Sequence, residues 1–154
     1  MKQLSVLMCL LAVAMTCASL ARAEIGAGVM AGEPTGLSFK LWSEGSSALD
    51  AASGWSFGDE GRLYLHADYL WHRMIEDREI GGAVPLYFGV GGRILLREGR
   101  DSRVGVRIPI GLDYFFEGGR FNVFVELAPI IDLVPETEFD FSGGVGLRFC
   151  FGGY

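Results

Sequence analysis

The sequence predicts an all-β fold, a single eight-stranded antiparallel up-and-down β-barrel over residues 24–154, on three observations. Apolar and polar residues alternate with period two along most of the chain, as in half-buried strands, and the period of a helix is missing. Clusters of turn residues separate the alternating runs at short intervals. The chain has 154 residues with 23 Gly, 11 Phe, 5 Tyr and 3 Trp, a composition that suits short twisted strands and tight turns better than helices.

The strands follow in order. Near 24–31, Ile25, Ala27 and Val29 alternate with Gly26, Gly28 and Met30. Near 36–43, Leu37, Phe39 and Leu41 alternate with Ser38, Lys40 and Trp42. Near 48–57, Leu49, Ala51, Ser53, Trp55 and Phe57 oppose Asp50, Ala52, Gly54 and Ser56. Near 61–72, one face carries Leu63, Leu65, Ala67, Tyr69 and Trp71, and the other Arg62, Tyr64, His66, Asp68, Leu70 and His72. Near 84–96, Val84, Leu86, Phe88, Val90, Ile94 and Leu96 oppose Pro85, Tyr87, Gly89, Gly91, Arg93 and Arg97, with Gly92 and Leu95 as exceptions. Near 103–115, Val104, Val106, Ile108, Ile110, Leu112 and Tyr114 oppose Arg103, Gly105, Arg107, Pro109, Gly111 and Asp113. Near 120–128, Phe121, Val123, Val125 and Leu127 oppose Asn122, Phe124, Glu126 and Ala128. Near 143–151, Val145, Leu147, Phe149 and Phe151 oppose Gly144, Gly146, Arg148 and Cys150.

Between them lie Gly-Glu-Pro-Thr-Gly at 32–36, Ser-Glu-Gly-Ser at 43–46, Gly-Asp-Glu-Gly at 58–61, Glu-Gly-Arg-Asp at 98–101 and Glu-Gly-Gly at 117–119. Links this short join antiparallel neighbours, because a parallel pair needs a crossover of a dozen or more residues. Only 73–83 and 129–142 are expected to be longer. The strand at the end either stops at Phe151 with a short tail or slips to make Tyr154 the terminal aromatic.

Residues 1–23 are expected to be a secretory signal peptide. Lys2 precedes an apolar run from Leu4 to Met15, and Ala21-Arg22-Ala23 places small residues where a signal peptidase reads them, with the cut before Glu24. The run is too short for the roughly 20 apolar residues of a spanning helix. Cys9 and Cys17 lack the small residue and Leu of a lipid attachment site and leave with the signal, so Cys150 alone remains and no internal disulfide is available. Losing Lys2 and Arg22 takes the net charge from −6 to −8. Such a balance excludes a nucleic-acid partner, which needs a basic face.

Period two does not say which face meets solvent. In a water-soluble barrel the apolar face points inward, while in an outer-membrane barrel it meets lipid around a small polar interior. Three features favour the transmembrane arrangement. Tyr69, Trp71 and Tyr114 tip the apolar face where interfacial aromatics sit. Strands of about 9–12 residues match the length needed to cross at a tilt. The other face carries Lys40, Arg62, Arg93, Arg107 and Arg148 beside Asp50, Asp68, Asp113 and Glu126, the near balance that charges enclosed in a narrow lumen require.

The segments GEPTGLSFKLW at 32–42, GWSFG at 54–58, LYLHADYLWH at 63–72, RIPIGLDYFF at 107–116 and ELAP at 126–129 resemble a family of small outer-membrane β-barrel proteins of Gram-negative and spirochaete-like bacteria, similar in size to the eight-stranded OmpX and OmpA barrels. The resemblance covers most of residues 24–151 and brings no catalytic signature. It implies an outer-membrane location and a structural, adhesive or membrane-integrity role. Its expected partners are outer-membrane lipids, lipopolysaccharide or its equivalent, the assembly machinery during insertion, and external host or envelope ligands.

Chemistry is sparse. His66 and Asp68 share one face of a strand with His72, as a metal or acid/base pair or as polar groups satisfied by Arg62, Arg107 or Asp113. Two histidines six apart lack the third close ligand of a zinc site. His66 can be drawn with Ser38, Ser53 or Ser56, but no nucleophile elbow supports a triad. Gly89–Gly92 and Gly143–Gly146 are strand glycines, since no helix follows to make a phosphate loop. Glu136–Asp140 and Glu76–Glu79 are expected to be solvated connections. No catalytic, cofactor-binding or metal-ligating residue is therefore assigned, and no cofactor is expected. An eight-stranded barrel leaves room only for side chains, so no open channel is expected either. The alternative is a soluble periplasmic barrel binding a lipid or other apolar ligand, with Trp55, Leu65 or Val106 lining its cavity.

Overall fold

Strand pairing organises the whole of the computed structural model, which describes residues 24–43, 45–56, 61–77 and 82–152. The expected signal peptide lies outside the described residues. Nine strands follow one another among the described residues: β1 (Glu24–Glu33), β2 (Gly36–Trp42), β3 (Ser47–Ser56), β4 (Arg62–Asp77), β5 (Gly82–Arg97), β6 (Arg103–Arg107), β7 (Ile110–Phe115), β8 (Phe121–Val134) and β9 (Glu138–Phe151). Each pairs antiparallel with its neighbours, and β1 pairs with β9, so the hydrogen bonds run round a closed ring. Each described strand therefore has a partner on both sides, which leaves no whole strand as an open edge among the described residues.

The ninth strand arises where one was expected over 103–115. Pro109 has no N–H to give to a ladder, and regular pairing lapses at Ile108 and Pro109. The register on β5 is the same on both sides of the lapse, Gly91 opposite Arg107 and Phe88 opposite Ile110. Two bonds bridge it: Gly89 N donates to Pro109 O at 2.9 Å, and Ile108 N donates to Pro129 O at 3.0 Å. β6 and β7 thus share one place in the ring.

The two long connections shrink for different reasons. Residues 74–77 pair with 82–85 as the end of the β4–β5 hairpin, beyond the last pairing of β4 with β3 at Trp71. Met74 and Ile75 are both exposed there, and an overhang with no enclosed face does not demand alternation. Residues 129–134 and 138–142 extend the β8–β9 hairpin. Only 135–137 remains as a turn, so Glu138 and Asp140 belong to a strand and not to a solvated connection. Arg78 and Glu79 lie outside the described residues. β9 stops at Phe151, and Gly152 leaves the ladder at φ +117°.

The two faces sort as an inside-out protein. Lys40, Asp50, His66, Asp68, Arg93, Arg107, Asp113, Asn122, Glu126, Asp132 and Arg148 are all enclosed by the ring, none more than 6% exposed. Thirty-four large apolar side chains among the described residues stand outside at 37–74% exposure, where a soluble monomer rarely shows a contiguous apolar patch above a few hundred Å². Trp55, Leu65 and Val106, which a soluble apolar-ligand barrel would turn inward, are among them.

Candidate functional site

The enclosed polar column is the most constrained chemistry in the molecule, and its side chains come from strands far apart in sequence. At the end that holds Glu24 and Phe151, a small apolar floor of Trp42, Ala48, Leu70, Tyr87 and Cys150 closes the interior, with Phe115 against it. Above it, Lys40 Nζ donates to Asp113 Oδ2 at 2.5 Å and lies 4.1 Å from the Tyr87 ring centroid. His72 Nε2 is 3.2 Å from the same oxygen, and Asn122 Nδ2 donates to Asp113 Oδ1 at 3.3 Å.

The next layer centres on Arg148. Its Nη2 donates to both Asp50 oxygens at 3.0 and 3.1 Å, its Nε donates to Ser38 Oγ at 2.9 Å, and its guanidinium carbon sits 3.6 Å from the Phe124 ring centroid. Phe124 has space because Gly146 lies opposite it on β9; a Cβ there would come within 2.3 Å of the ring. Tyr87 and Gly111 repeat the device on β5 and β7.

Arg107 holds the layer above. It ion-pairs with Glu126, its Nε stands 3.0 Å from Asp68 Oδ2, and Nη1 donates to Tyr64 Oη at 3.2 Å. Tyr87 Oη donates to the other oxygen of Glu126 at 3.0 Å. His66 Nδ1 lies 2.9 Å from Asp68 Oδ2. At the far end, Arg93 donates to Asp132 at 3.0 and 2.5 Å and to Asp140 at 2.6 Å, while Arg103 Nη2 reaches Glu138 at 3.0 Å.

The sequence expectations sort clearly on this geometry. His66 and Asp68 do come together, and Arg107 is the expected partner that joins them; Arg62 stands exposed at the rim and Asp113 serves another layer. Glu126, from across the ring, brings a ligand atom within 4.8 Å of ligand atoms of His66 and Asp68. These three are the group among the described residues that could hold a cation, and the Arg107 guanidinium already lies against both carboxylates. His72 turns to Asp113, separate from His66. Ser38 accepts from Arg148, and the hydrogen bond of His66 goes to Asp68 and not to a serine. The enclosed tally is four cations against five carboxylates with His66: Arg62 leaves it and Asp132 enters. Continuing the parity of β8 past Glu126 and Ala128 would have reached Asp132.

The outer face carries the complementary feature. At the end of the floor, edge-on aromatic contacts join Tyr69 to Trp71 at 5.0 Å, Tyr114 to Phe116 at 5.3 Å, Phe121 to Phe149 at 5.4 Å and Phe149 to Phe151 at 4.9 Å. Trp55, Phe139 and Phe141 are exposed toward the other end.

The chain is similar in fold to the crystal structure of the N-terminal β-barrel domain of Pseudomonas aeruginosa OprF, with a TM-score of 0.58 and 17% identity over 84% of this chain and 96% of that one. No family model matches the chain, and no curated protein matches it. The likeness is one of fold, an antiparallel β-barrel like that of an outer-membrane protein domain, and it supports the resemblance suggested by the sequence motifs at the level of fold alone.

Proposed function

We propose that the chain is a small outer-membrane β-barrel that serves a structural, adhesive or membrane-integrity role without an open channel. The observation that carries this reading is the inversion of the two faces: the charged side chains are enclosed and the large apolar side chains are turned out. In water each Å² of that apolar face costs about 25 cal/mol relative to burial, whereas lipid supplies the missing cover. Exposed aromatics toward both ends of the belt suit the two interfaces of a bilayer, and the likeness to the OprF domain supports the fold half of the reading. The closed interior is supported by the filling of the column, where the Arg148, Arg107 and Arg93 layers and the Trp42 floor succeed one another. Lipids and lipopolysaccharide or its equivalent are then the partners of the belt, and the turns are what external ligands meet.

Fractionation of cells producing the chain tests the reading. Recovery in the outer membrane with a heat-dependent shift in gel mobility is expected, together with no swelling of reconstituted liposomes in sugar solutions. Full recovery in the soluble periplasm with no mobility shift would overturn the membrane assignment, and rapid swelling would overturn the closed interior.

A further inference from the structure

The wall of the ring is not of one height. On the side away from the floor, β1 has its last pairing with β9 at Glu33 and Gly143, and β9 continues over residues 138–142 with only β8 beside it. Across the gap, Trp55 and Ser56 carry β3 past its last pairing with β2, at Gly54 and Gly36. Between β9 and β3 the wall therefore drops to the turn at 32–35, where Gly32 N donates to Thr35 Oγ1 at 3.0 Å. At about 3.3 Å per residue and a tilt of about 40°, the overhang of β9 makes this step roughly 12 Å.

The apolar belt drops with the wall. β2 turns Leu37, Phe39 and Leu41 outward, whereas the outward face of β9 runs from Phe151 to Phe139. The register fixes which residues lie level. Passing from partner to partner, Ala27 leads through β2–β6 and β8 to Phe139 on β9, while its direct partner on β9 is Phe149, ten residues away (149 − 139). One circuit thus climbs that far away from the floor, so each step to the next strand climbs roughly 3 Å and each residue along a strand about 2.5 Å. Val90 lies three steps on from Leu41, by way of Leu49 and Tyr69, and Leu37 lies four residues up β2 from the same Leu41. The two stand about level, yet Leu37 is the top of the belt on β2, while Ile94 and Leu96 rise above Val90 on β5.

Two features of the low sector are incompatible with hydrocarbon. Lipid tails supply no hydrogen bonds, so irregular backbone and open strand edges do not face them. The 32–35 turn presents Glu33 and Thr35 exposed. The edge of β9 above it has no strand on that side, and Phe141 N there donates to Asp140 Oδ1 at 2.9 Å. A cleft of about 240 Å³ behind the turn, with Glu33, Thr35 and Arg62 among its walls, opens at the same level. A bilayer thins against a hydrophobic wall shorter than itself. Water and headgroups then satisfy the turn and the edge together, which an apolar partner does not.

We propose that the β1–β2 sector thins the bilayer: lipid headgroups and water descend between β9 and β3 to the level of the 32–35 turn, roughly 10 Å below their level beside β5. The thinning rests on the outer-membrane reading of the belt. It makes the surface above Leu37 a contact for charged lipid headgroups, and it creates a local weak point where a headgroup has less hydrocarbon to cross.

The test uses the full chain in dioleoylphosphatidylcholine vesicles, with Cys9→Ala, Cys17→Ala and Cys150→Ala to remove the native thiols. Leu37→Cys, Val90→Cys and Leu96→Cys are added one at a time and labelled with a bimane fluorophore, and folding is checked by heat-dependent mobility. Depth is read from quenching by a nitroxide on the lipid headgroup against one deep in the acyl chain. The Leu37 label is expected about 10 Å shallower than the Val90 label, at the depth of the Leu96 label. Ala31→Cys on β1 and Leu127→Cys on β8 form a second level pair and repeat the comparison should a first variant fail to fold. Equal depths at Leu37 and Val90 overturn the thinning and leave the membrane reading standing. A Leu37 label that neither lipid quencher reaches overturns it as well, since a second copy or another protein then covers the sector. If iodide in the buffer reaches every label and the lipid quenchers reach none, the membrane reading falls and the thinning falls with it.

Discussion

Arg148 on β9 reaches past β1 and β2 to Asp50 on β3, its Nη2 donating to both carboxylate oxygens at 3.0 and 3.1 Å. Both side chains are essentially out of solvent, at 1% and 2% exposure. Removing one partner of a buried pair leaves an uncompensated charge and costs about 3–5 kcal/mol. Arg148→Met is therefore expected to lower the unfolding free energy, read by urea titration in detergent micelles or lipid vesicles, by about that much. Adding Asp50→Leu should recover part of the loss, since the second change removes the stranded charge. A cycle in which the two losses simply add would show that the pair is not coupled.

The layer above separates two residues that look alike in sequence. Glu126 answers both Arg107 and the Tyr87 hydroxyl, so Glu126→Ala takes one of two carboxylates from a buried guanidinium and leaves a buried phenol without its acceptor. His66 has Asp68 as its hydrogen-bond partner, while Nε2 has none among the described residues. Asp68 keeps Arg107 when the ring is lost. We expect Glu126→Ala to cost about 3–5 kcal/mol and His66→Ala about 1–3 kcal/mol, the range for unpairing one buried polar group. Equal losses in the same unfolding assay would show that the histidine ties the layer together as much as the carboxylate does.

Much of this column was legible in the sequence wherever polar residues occupy alternate places. Lys40, Asp50, Asp68, Asp113, Glu126 and Arg148 all turn inward as the alternation of their strands requires. Asp132 escaped because Ile130 makes the preceding inward place apolar and Pro129 reads as a break, although its ring position costs nothing where Ile108 and Pro109 already interrupt the neighbouring ladder. Arg62 had the right parity but the wrong depth, since its place at the start of β4 puts it on the rim. The pairings themselves depend on ring closure: Arg148 and Asp50 lie 98 residues apart, and no local pattern joins them. Which face is enclosed was likewise undetermined by period two alone, because the alternation is the same in either direction.

Two glycines differ in what a side chain there would meet, and substitution can expose the difference. Phe124 lies against Gly146, and a Cβ would meet Cε1 and Cζ at 2.3 Å. The same ring supports the Arg148 guanidinium. Gly146→Ala must therefore move an aromatic side chain that is 1% exposed, and over-filling of this kind costs about 1–3 kcal/mol. Gly45, in the turn after β2, has nothing within 4 Å of its Cβ position, so its φ of +109° is the sole obstacle, and Asn, which tolerates left-handed backbone better than most residues, should cost less there. If Gly146→Ala unfolds at the urea concentration of the parent, the contact with Phe124 does not constrain the ring.

The outer belt offers the sharpest physical contrast between lipid and water. Val90 lies on β5 opposite Tyr69, 47% exposed on the apolar face, and well inside the belt that runs along that strand from Phe88 to Leu96. Phe139 is 74% exposed on β9, one residue past the start of that strand. An arginine facing lipid at the midplane of a bilayer costs about 2–4 kcal/mol, falling to about 0–1 kcal/mol near an interface. An exposed substitution in water stays within about ±0.5 kcal/mol. Val90→Arg is thus expected to lower stability in lipid vesicles by several-fold more than Phe139→Arg, and to reduce the heat-modifiable form recovered from membranes. Indifference to both changes, in vesicles as in buffer, would mean that the belt does not face lipid, since the penalty depends on depth in a bilayer and has no counterpart on a surface bathed uniformly by water.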